Sequence, residues 1–284
     1  MKRISKKLVL TCFGFIVIGI GLSLLGYHMG GTFSFSFSPD TKFLTADDIK
    51  NATKLIEQET APFTGIDICS DCMNIEIRNG DSYSISYLET PYIQTDYSVE
   101  NGILTVVSNA KVQFFNFSLD FEPKEYTLTI TVPENTELNT LFLQSKDNDC
   151  LLENQTADIL SLETTYGDLS IANCTVNTGT IESQDGSITM NGLTAAKTVL
   201  TLDYGNLTIT DSPISQLSAK MSDGDCKIIL TDDIDNYSLA LESTDGYITI
   251  DGTETQSVYR TEKSGENTIQ ITNHYGDIDI FSGR

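Results

Sequence analysis

Tryptophan is absent from this 284-residue chain, histidine occurs only at His28 and His274, and there are six prolines. Each scarcity excludes something. Two histidines leave little for a histidine-rich metal site or a general base. So few prolines, and glycines without a three-residue period, exclude collagen-like and proline-rich stalks. Basic residues are scarce too: 17 Lys+Arg stand against 40 Asp+Glu, a formal net charge of −23. Nucleic acid is therefore excluded as a partner, because phosphate contacts need clustered cations. With 39% hydrophobic and 20% charged residues the chain is not an acidic disordered segment, and it is long enough for one elongated domain with a core, or two small ones.

The first 28 residues differ from the rest. Lys2, Arg3, Lys6 and Lys7 precede an uncharged run of 20 residues, Leu8 to Tyr27. At about 1.5 Å per helical residue such a run crosses a hydrocarbon core of roughly 30 Å. Residues 1–7 read as a cytoplasmic basic tail, residues 8–28 as a single transmembrane anchor and partner of the cell membrane, and everything after as extracytoplasmic. A cleaved signal peptide would carry a shorter apolar region and a small-x-small cleavage site, which Gly26-Tyr27-His28-Met29 does not offer. Cys12 lies too near the charges for lipoprotein processing. Gly19 and Ser23 form a weak small-xxx-small pair.

Residues 29–61 read as a juxtamembrane stalk. Phe33, Phe35 and Phe37 alternate with serines, as an interfacial belt or a short strand. Thr45, with Asp48 three residues on and Ile49, Ala52, Leu55 and Ile56 on one face, predicts a short helix running to about Thr60.

One pattern governs residues 141–284. Gly167, Gly186, Gly205 and Gly224 are 19 residues apart; Gly246 follows after 22 and Gly276 after 30. Counting back 19 from Gly167 reaches Asn148, the residue best able to replace glycine at positive φ. Two and four residues after each marker come apolar pairs, from Leu169/Ile171 to Ile278/Ile280, and five before each lies Leu162, Ile181, Leu200, Ala219, Leu241 or Ile271. The alternation makes two short strands per repeat, and the glycine makes the bend between them. One such unit cannot bury its inner face, so neighbours must stack. The expected fold is all-β, a β-solenoid formed as a single stack of rungs of about 19 residues. The longer last intervals predict insertions near Asp232–Asn236 and Thr253–Glu266.

Residues 62–140 are also β in pattern but irregular, as a cap and start of the same solenoid that protects its sheet edge. Within them, Phe115, Phe117, Leu119 and Phe121 fall on one side of a cap strand or of an exposed apolar patch. The run Tyr126-Thr127-Leu128-Thr129-Ile130-Thr131-Val132-Pro133, then Leu138 and Gly-Asp-Leu-x-Ile or Gly-x-Ile-x-Ile rungs, resembles the bacterial β-strand-repeat family named for adhesins, a domain of unknown function. The resemblance covers roughly residues 62–284. It implies anchoring by one N-terminal helix and association with envelope-stress or membrane-regulatory operons, and it carries over no catalytic residue.

Five cysteines lie beyond the anchor. Cys150 and Cys226 share a column four rungs apart, roughly 19 Å, beyond the ~7 Å Cα limit of a disulfide. With Cys174 they read as small buried hydrophobes. Cys69-Ser70-Asp71-Cys72 lacks a second ligand pair for zinc and a helix for a redox centre, which leaves a local disulfide or two free thiols at a turn.

Asp168, Asp185, Asp203, Asp223, Asp225, Asp245 and Asp277 all fall within two residues of a marker, so stacking makes an acidic ladder. Its oxygens suit Ca²⁺, but the nine-residue Gly-Gly-x-Gly-x-Asp repeat is missing and Asp is a common turn residue, so no metal and no cofactor are expected. Tyr166, Asp185, Tyr204, Asp223, Asp245 and Tyr275, each just before its marker, form a candidate binding strip able to stack on sugar rings and accept hydroxyl hydrogen bonds. The competing reading is turn chemistry with tyrosines covering the rod's edge. Every carboxylate belongs to a repeat and no Ser-His-Asp set is available, so no catalytic residue and no enzyme activity are expected. Two functions follow: an envelope module that binds or regulates another envelope protein, favoured by the short stalk, or an adhesin-type module for a surface glycan.

Overall fold

The computed structural model describes residues 6–28, 35–38, 41–45, 52–111, 115–117, 126–263, 265 and 267–283. The chain divides into two units, one of residues 1–53, 90–92 and 111–124, the other of residues 54–89, 93–110 and 125–284.

The first unit holds a helix, Lys6–His28, and a small antiparallel sheet in which Phe35–Ser38 lies between Thr41–Thr45 and Phe115–Phe117. Of the two readings of the phenylalanine alternation, a strand is the one formed over Phe35–Ser38. Phe33, Leu119 and Phe121 lie outside the described residues. Among the described residues no helix is long and apolar enough to cross a membrane. The span expected over 8–28 is thus not shown; the side chains of this helix are described only from Phe13 on, fewer than the roughly 20 residues a span needs.

The second unit is a two-sheet stack. In each rung a long strand of one sheet, such as Thr194–Tyr204, turns at the glycine into a short strand of the other, Leu207–Thr210. Adjoining rungs pair in parallel without slippage. Inward columns run unbroken along the stack: Cys150, Leu169, Ile188, Leu207, Cys226, Ile278 and Ile248 are all buried. So are Leu143, Leu162, Ile181, Leu200, Ala219, Ile271 and Leu241. A fully buried Leu or Ile stabilises by about 1.5–3 kcal/mol relative to exposure, and here only stacking supplies that burial.

Each rung also has a second corner that the glycine spacing does not announce. Asn154, Asn173, Asp211 and Asp251 have φ of 48–56°, and Gly192 has 75°. Asn154, Asn173, Gly192 and Asp211 return the chain from the short strand to the next long one, and Asp251 turns the end rung back into the antiparallel Thr253–Glu254, all of them residues tolerant of the left-handed region. Asn148, expected at positive φ, is not there. With its amide oxygen turned inward its side chain accepts from the Cys72 and Met73 amides at 3.2 and 3.3 Å, which explains an amide at this place without invoking backbone strain.

Two further expectations are corrected. The helix predicted toward Thr60 is not formed over Lys54–Glu59, which is a strand antiparallel to Ser84–Glu89. A pattern of four apolar residues fits either period, and an open sheet edge offers those backbone groups partners. Residues 46–51 lie outside the described residues. Residues 62–140 are also more regular than their pattern: Gly65–Ser70 and Asn74–Gly80 form a rung in register, and Ile103–Ala110 and Thr127–Pro133 form the next. The cap proper is antiparallel, made by Ile93–Glu100, Ser84–Glu89 and Lys54–Glu59. Thr253–Glu254 and Val258–Thr261, inside the expected insertion, close the other end in the same way. The insertion at Asp232–Asn236 contains a short 3-10 turn, Ile234–Asn236.

Stacking departs from chain order at that other end. The Gly276 rung lies directly on the Gly224 rung, and the Gly246 rung, earlier in sequence, lies outside it. Two measurements probe this architecture. Gly205 has φ 127°, and a Cβ there would lie 2.4 Å from the Gly186 carbonyl oxygen. Gly205→Val is expected to destabilise by about 1–3 kcal/mol from backbone strain alone, and an unchanged thermal melt would refute the stacked corner. For rung order, Lys227→Cys with Asp279→Cys should form a disulfide on mild oxidation, since paired Cα atoms sit about 5 Å apart. Lys227→Cys with Thr249→Cys, two rungs apart, should not.

Candidate functional site

The residue before each marker is fixed by the rung register. Asp147 pairs with Tyr166, Tyr166 with Asp185, Asp185 with Tyr204, and Tyr204 with Asp223. Asp223 then pairs with Tyr275, and Tyr275 with Asp245. All six residues singled out in the sequence are therefore brought into one column, joined by Asp147. In chain order the column would read Asp223, Asp245, Tyr275, and the alternation would break. The exchange of the last two rungs restores it: carboxylate and phenol alternate over seven consecutive positions.

Rungs are about 4.8 Å apart, so like members repeat at roughly 10 Å. Tyr166, Tyr204 and Tyr275 are 52%, 59% and 51% exposed, and the four aspartates are exposed as well. Two unit charges one rung apart repel by roughly 1 kcal/mol in water; at two rungs the repulsion halves and salt screens it further. Interposed tyrosines thus keep the carboxylates apart. Backbone bonds hold the column rigid: the amides of Gly186, Gly205 and Gly224 donate to the carbonyls of Tyr204, Asp223 and Tyr275 at 2.9–3.0 Å. The His274 ring packs edge-on against Tyr275, centroids 5.1 Å apart. Both ion pairs among the described residues, Arg78–Glu76 and Lys263–Asp235, involve none of these aspartates.

The acidic ladder splits into parts with different work. One residue after the marker, side-chain oxygens accept from the backbone amide of the next rung. Asn74 accepts from Asp149, Asp149 from Asp168, Asp168 from Ser187, Ser187 from Asn206, Asn206 from Asp225, Asp225 from Asp277, and Asp277 from Tyr247. The distances are 2.8–3.1 Å except for the Ser187 hydroxyl at 3.4 Å. Asp168, Asp225 and Asp277 are thereby committed to the corner. Asp203 accepts from the Ser222 hydroxyl at 3.3 Å. Only Asp185, Asp223 and Asp245, with Asp147, remain on the alternating edge. Among the described residues no three His, Cys, Asp or Glu side chains are grouped so as to hold a metal.

Cys69, Cys72, Cys150, Cys174 and Cys226 are free thiols. Burial pushes Cys150 and Cys174 up to about 11 and Cys226 up to about 12, from a usual 9.0. Burial, helped by Asp71 and Asp67, also raises the half-buried Cys69; burial raises Cys72 against the pull of its Ser108 hydrogen bond. A thiol whose folded value is raised stabilises fully below its unfolded value, and that contribution is lost as pH climbs through the folded value. Stability is therefore expected to fall between pH 9 and about 11–12 through these three buried thiols. Alkylation at pH 8 followed by peptide mapping should label Cys69 and Cys72 well before Cys150, Cys174 or Cys226, and uniform labelling would contradict the packed columns.

Sequence reasoning missed Asp147, because its rung carries Asn148 where the others have glycine. It also missed a cleft of about 420 Å³ where the repeat breaks down, lined in part by Lys197, Arg260 and Glu262 over Leu217, Leu239 and Ile269. That cleft depends on the strand Val258–Thr261, inside an insertion of no recognisable pattern.

With the geometry in place, comparison adds the following. No curated protein matches the chain. Among solved structures, a "putative adhesin" of Bacteroides fragilis is 12% identical, with 80% of this chain and 96% of that one covered and a TM-score of 0.43. A "putative adhesin" of Parabacteroides distasonis is 14% identical over 80% and 96%, TM-score 0.38. A "putative lipid binding protein" of the same species is 14% identical over 82% and 98%, TM-score 0.30. Likeness at this level says nothing about a shared ligand. The Toastrack DUF4097 pattern, by contrast, matches residues 63–281, the whole run of parallel rungs, and the chain belongs to that family.

Proposed function

We propose that this chain is a non-catalytic binding module of the bacterial cell envelope. Its solenoid lies outside the cytoplasm, residues 8–28 hold it to the membrane, and it engages or regulates another envelope component through the alternating edge. One observation carries the binding part: four aspartates and three half-exposed tyrosines alternate over seven rungs on a continuously hydrogen-bonded backbone. A column serving only as a solvated turn has no need of large aromatic rings, which desolvate well on contact. The membrane part is supported by sequence, namely the uncharged run Leu8–Tyr27 behind four basic residues. Phe13, Phe15, Ile16, Ile18, Leu22 and Leu24 of that run are all more than half exposed.

A second reading, an adhesin-type module for a surface glycan, draws on the same tyrosine faces, which suit sugar rings, with carboxylates between them to accept hydroxyl hydrogen bonds. Photo-crosslinking in native cells from probes at positions 166 and 204 separates the two. A discrete membrane-protein adduct is expected, falling several-fold when Asp185→Asn and Asp223→Asn are added at unchanged melting temperature. Adducts with wall polymer or external glycan would favour adhesion, and no adduct from either probe would remove the edge as a binding face. Protease added to intact cells is expected to digest the solenoid; full protection would overturn its placement outside the cytoplasm.

A further inference from the structure

The period and charge of the edge point to one class of ligand, and this inference rests on the reading of that edge as a binding face. We propose that it receives a basic polypeptide segment in the polyproline II conformation, with Lys or Arg at every third position.

Charge selects the sign. Asp147, Asp185, Asp223 and Asp245 lie on the edge itself, with Asp149, Asp168, Asp203, Asp225 and Asp277 on the columns beside it, where Lys146 is the one lysine or arginine and His274 the one histidine. An anionic partner is repelled along the whole length, and a cationic one is attracted at each aspartate. The tyrosines point the same way. Exposed aromatic faces attract cations by their quadrupole and are the usual platform for proline rings and aliphatic lysine stems.

Period selects the conformation. Like residues recur every two rungs, about 9.6 Å. A polyproline II helix advances about 9.3 Å per three-residue turn, so its side chains at i, i+3, i+6 and i+9 stay in step with Asp147, Asp185, Asp223 and Asp245. The residues between them lie over Tyr166, Tyr204 and Tyr275. An extended strand places same-face side chains at about 6.7 or 13 Å and is out of register within two rungs. An α-helix, whose same-face residues recur at about 10.5 Å, is out of step by roughly 3 Å across the four aspartates, against about 1 Å for polyproline II. A pre-extended ligand also loses little entropy on docking against a rigid column.

The test uses the full-length chain in detergent and three labelled peptides measured by fluorescence anisotropy. One is four repeats of Lys-Pro-Pro; the second has the same composition with its lysines at every other position; the third is four repeats of Glu-Pro-Pro. The first is expected to bind roughly tenfold more tightly than the second, and the third not at all. Asp185→Asn with Asp223→Asn, and separately Tyr204→Ser, should each weaken the first by several-fold at unchanged melting temperature. Equal affinity for the two lysine peptides would reduce the effect to diffuse attraction and overturn the proposal. Failure of both lysine peptides would overturn it as well. A neutral chitin oligosaccharide that binds in their place, and is lost on Tyr204→Ser, would overturn it while leaving the edge a binding face. The cellular cross-links from the same positions test that parent reading separately.

Discussion

The glycine corner is the constraint on which the rest of this structure depends. At six rungs the backbone turns so close to its neighbour that a Cβ would fall 1.9–2.5 Å from a carbonyl oxygen of the adjoining rung, at Gly167, Gly186, Gly205, Gly224, Gly276 and Gly246 alike. Only a residue without a side chain fits, and five of the six glycines also hold φ between 106° and 134°. The close approach leaves polar groups facing one another in a tight space, and these must be satisfied. Two side-chain columns do so. Outside, Asp, Asn or Ser after the glycine accepts the amide of the next rung. Inside, buried Ser145, Asn273 and Ser243 donate to the carbonyls of Asn148, Gly224 and Gly276 at 2.8–3.1 Å.

The same corner accounts for the exchange of the last two rungs. A rung can sit within the stack only if its residue after the glycine offers an oxygen to the next amide. Asp277 does, and Tyr247 in the Gly246 rung does not, so that rung fits only at the end, where Tyr247 donates its amide to Asp277 and nothing needs to be accepted. The column before the glycine agrees, because the exchange keeps Asp245 from lying against Asp223 and places Tyr275 between them. Two columns with separate chemistry thus favour one arrangement, the kind of consistency that lets a repetitive sequence avoid alternative registers. The closing strands Thr253–Glu254 and Val258–Thr261 then pair antiparallel with the end rung and cover edges that would otherwise template another chain.

The ordinary work of stacking also produces the candidate site. An edge of aspartates in adjoining rungs would repel itself; spacing them with tyrosines relieves the repulsion and leaves a rigid row of alternating negative and aromatic groups. That such a row arises for stability does not keep it from binding, and its half-exposed rings are what a purely structural spacer would not require. The neighbouring acidic column, similar in sequence, is already occupied by backbone amides. Similar composition on either side of the glycine, two positions apart, therefore has different consequences.

The 19-residue recurrence of glycine and the apolar positions around it determined the solenoid, its bends and its core, because a residue that must be small and residues that must be buried leave marks on every repeat. The six edge residues were legible for the same reason. Tertiary structure decided what the repeat leaves free: that Asp147 joins the edge, that Asn148 serves through its amide rather than its backbone, that Lys54–Glu59 becomes a strand, and that the Gly276 rung lies inside the Gly246 rung. Each of these depends on which partner a segment meets across the stack. Linear spacing records the inside of a rung, but the order of rungs is set by hydrogen bonds and charges between residues distant in sequence, as in the bonds from the Asp277 amide to Asp225, 52 positions away, and from the Asp149 amide to Asn74, 75 positions away.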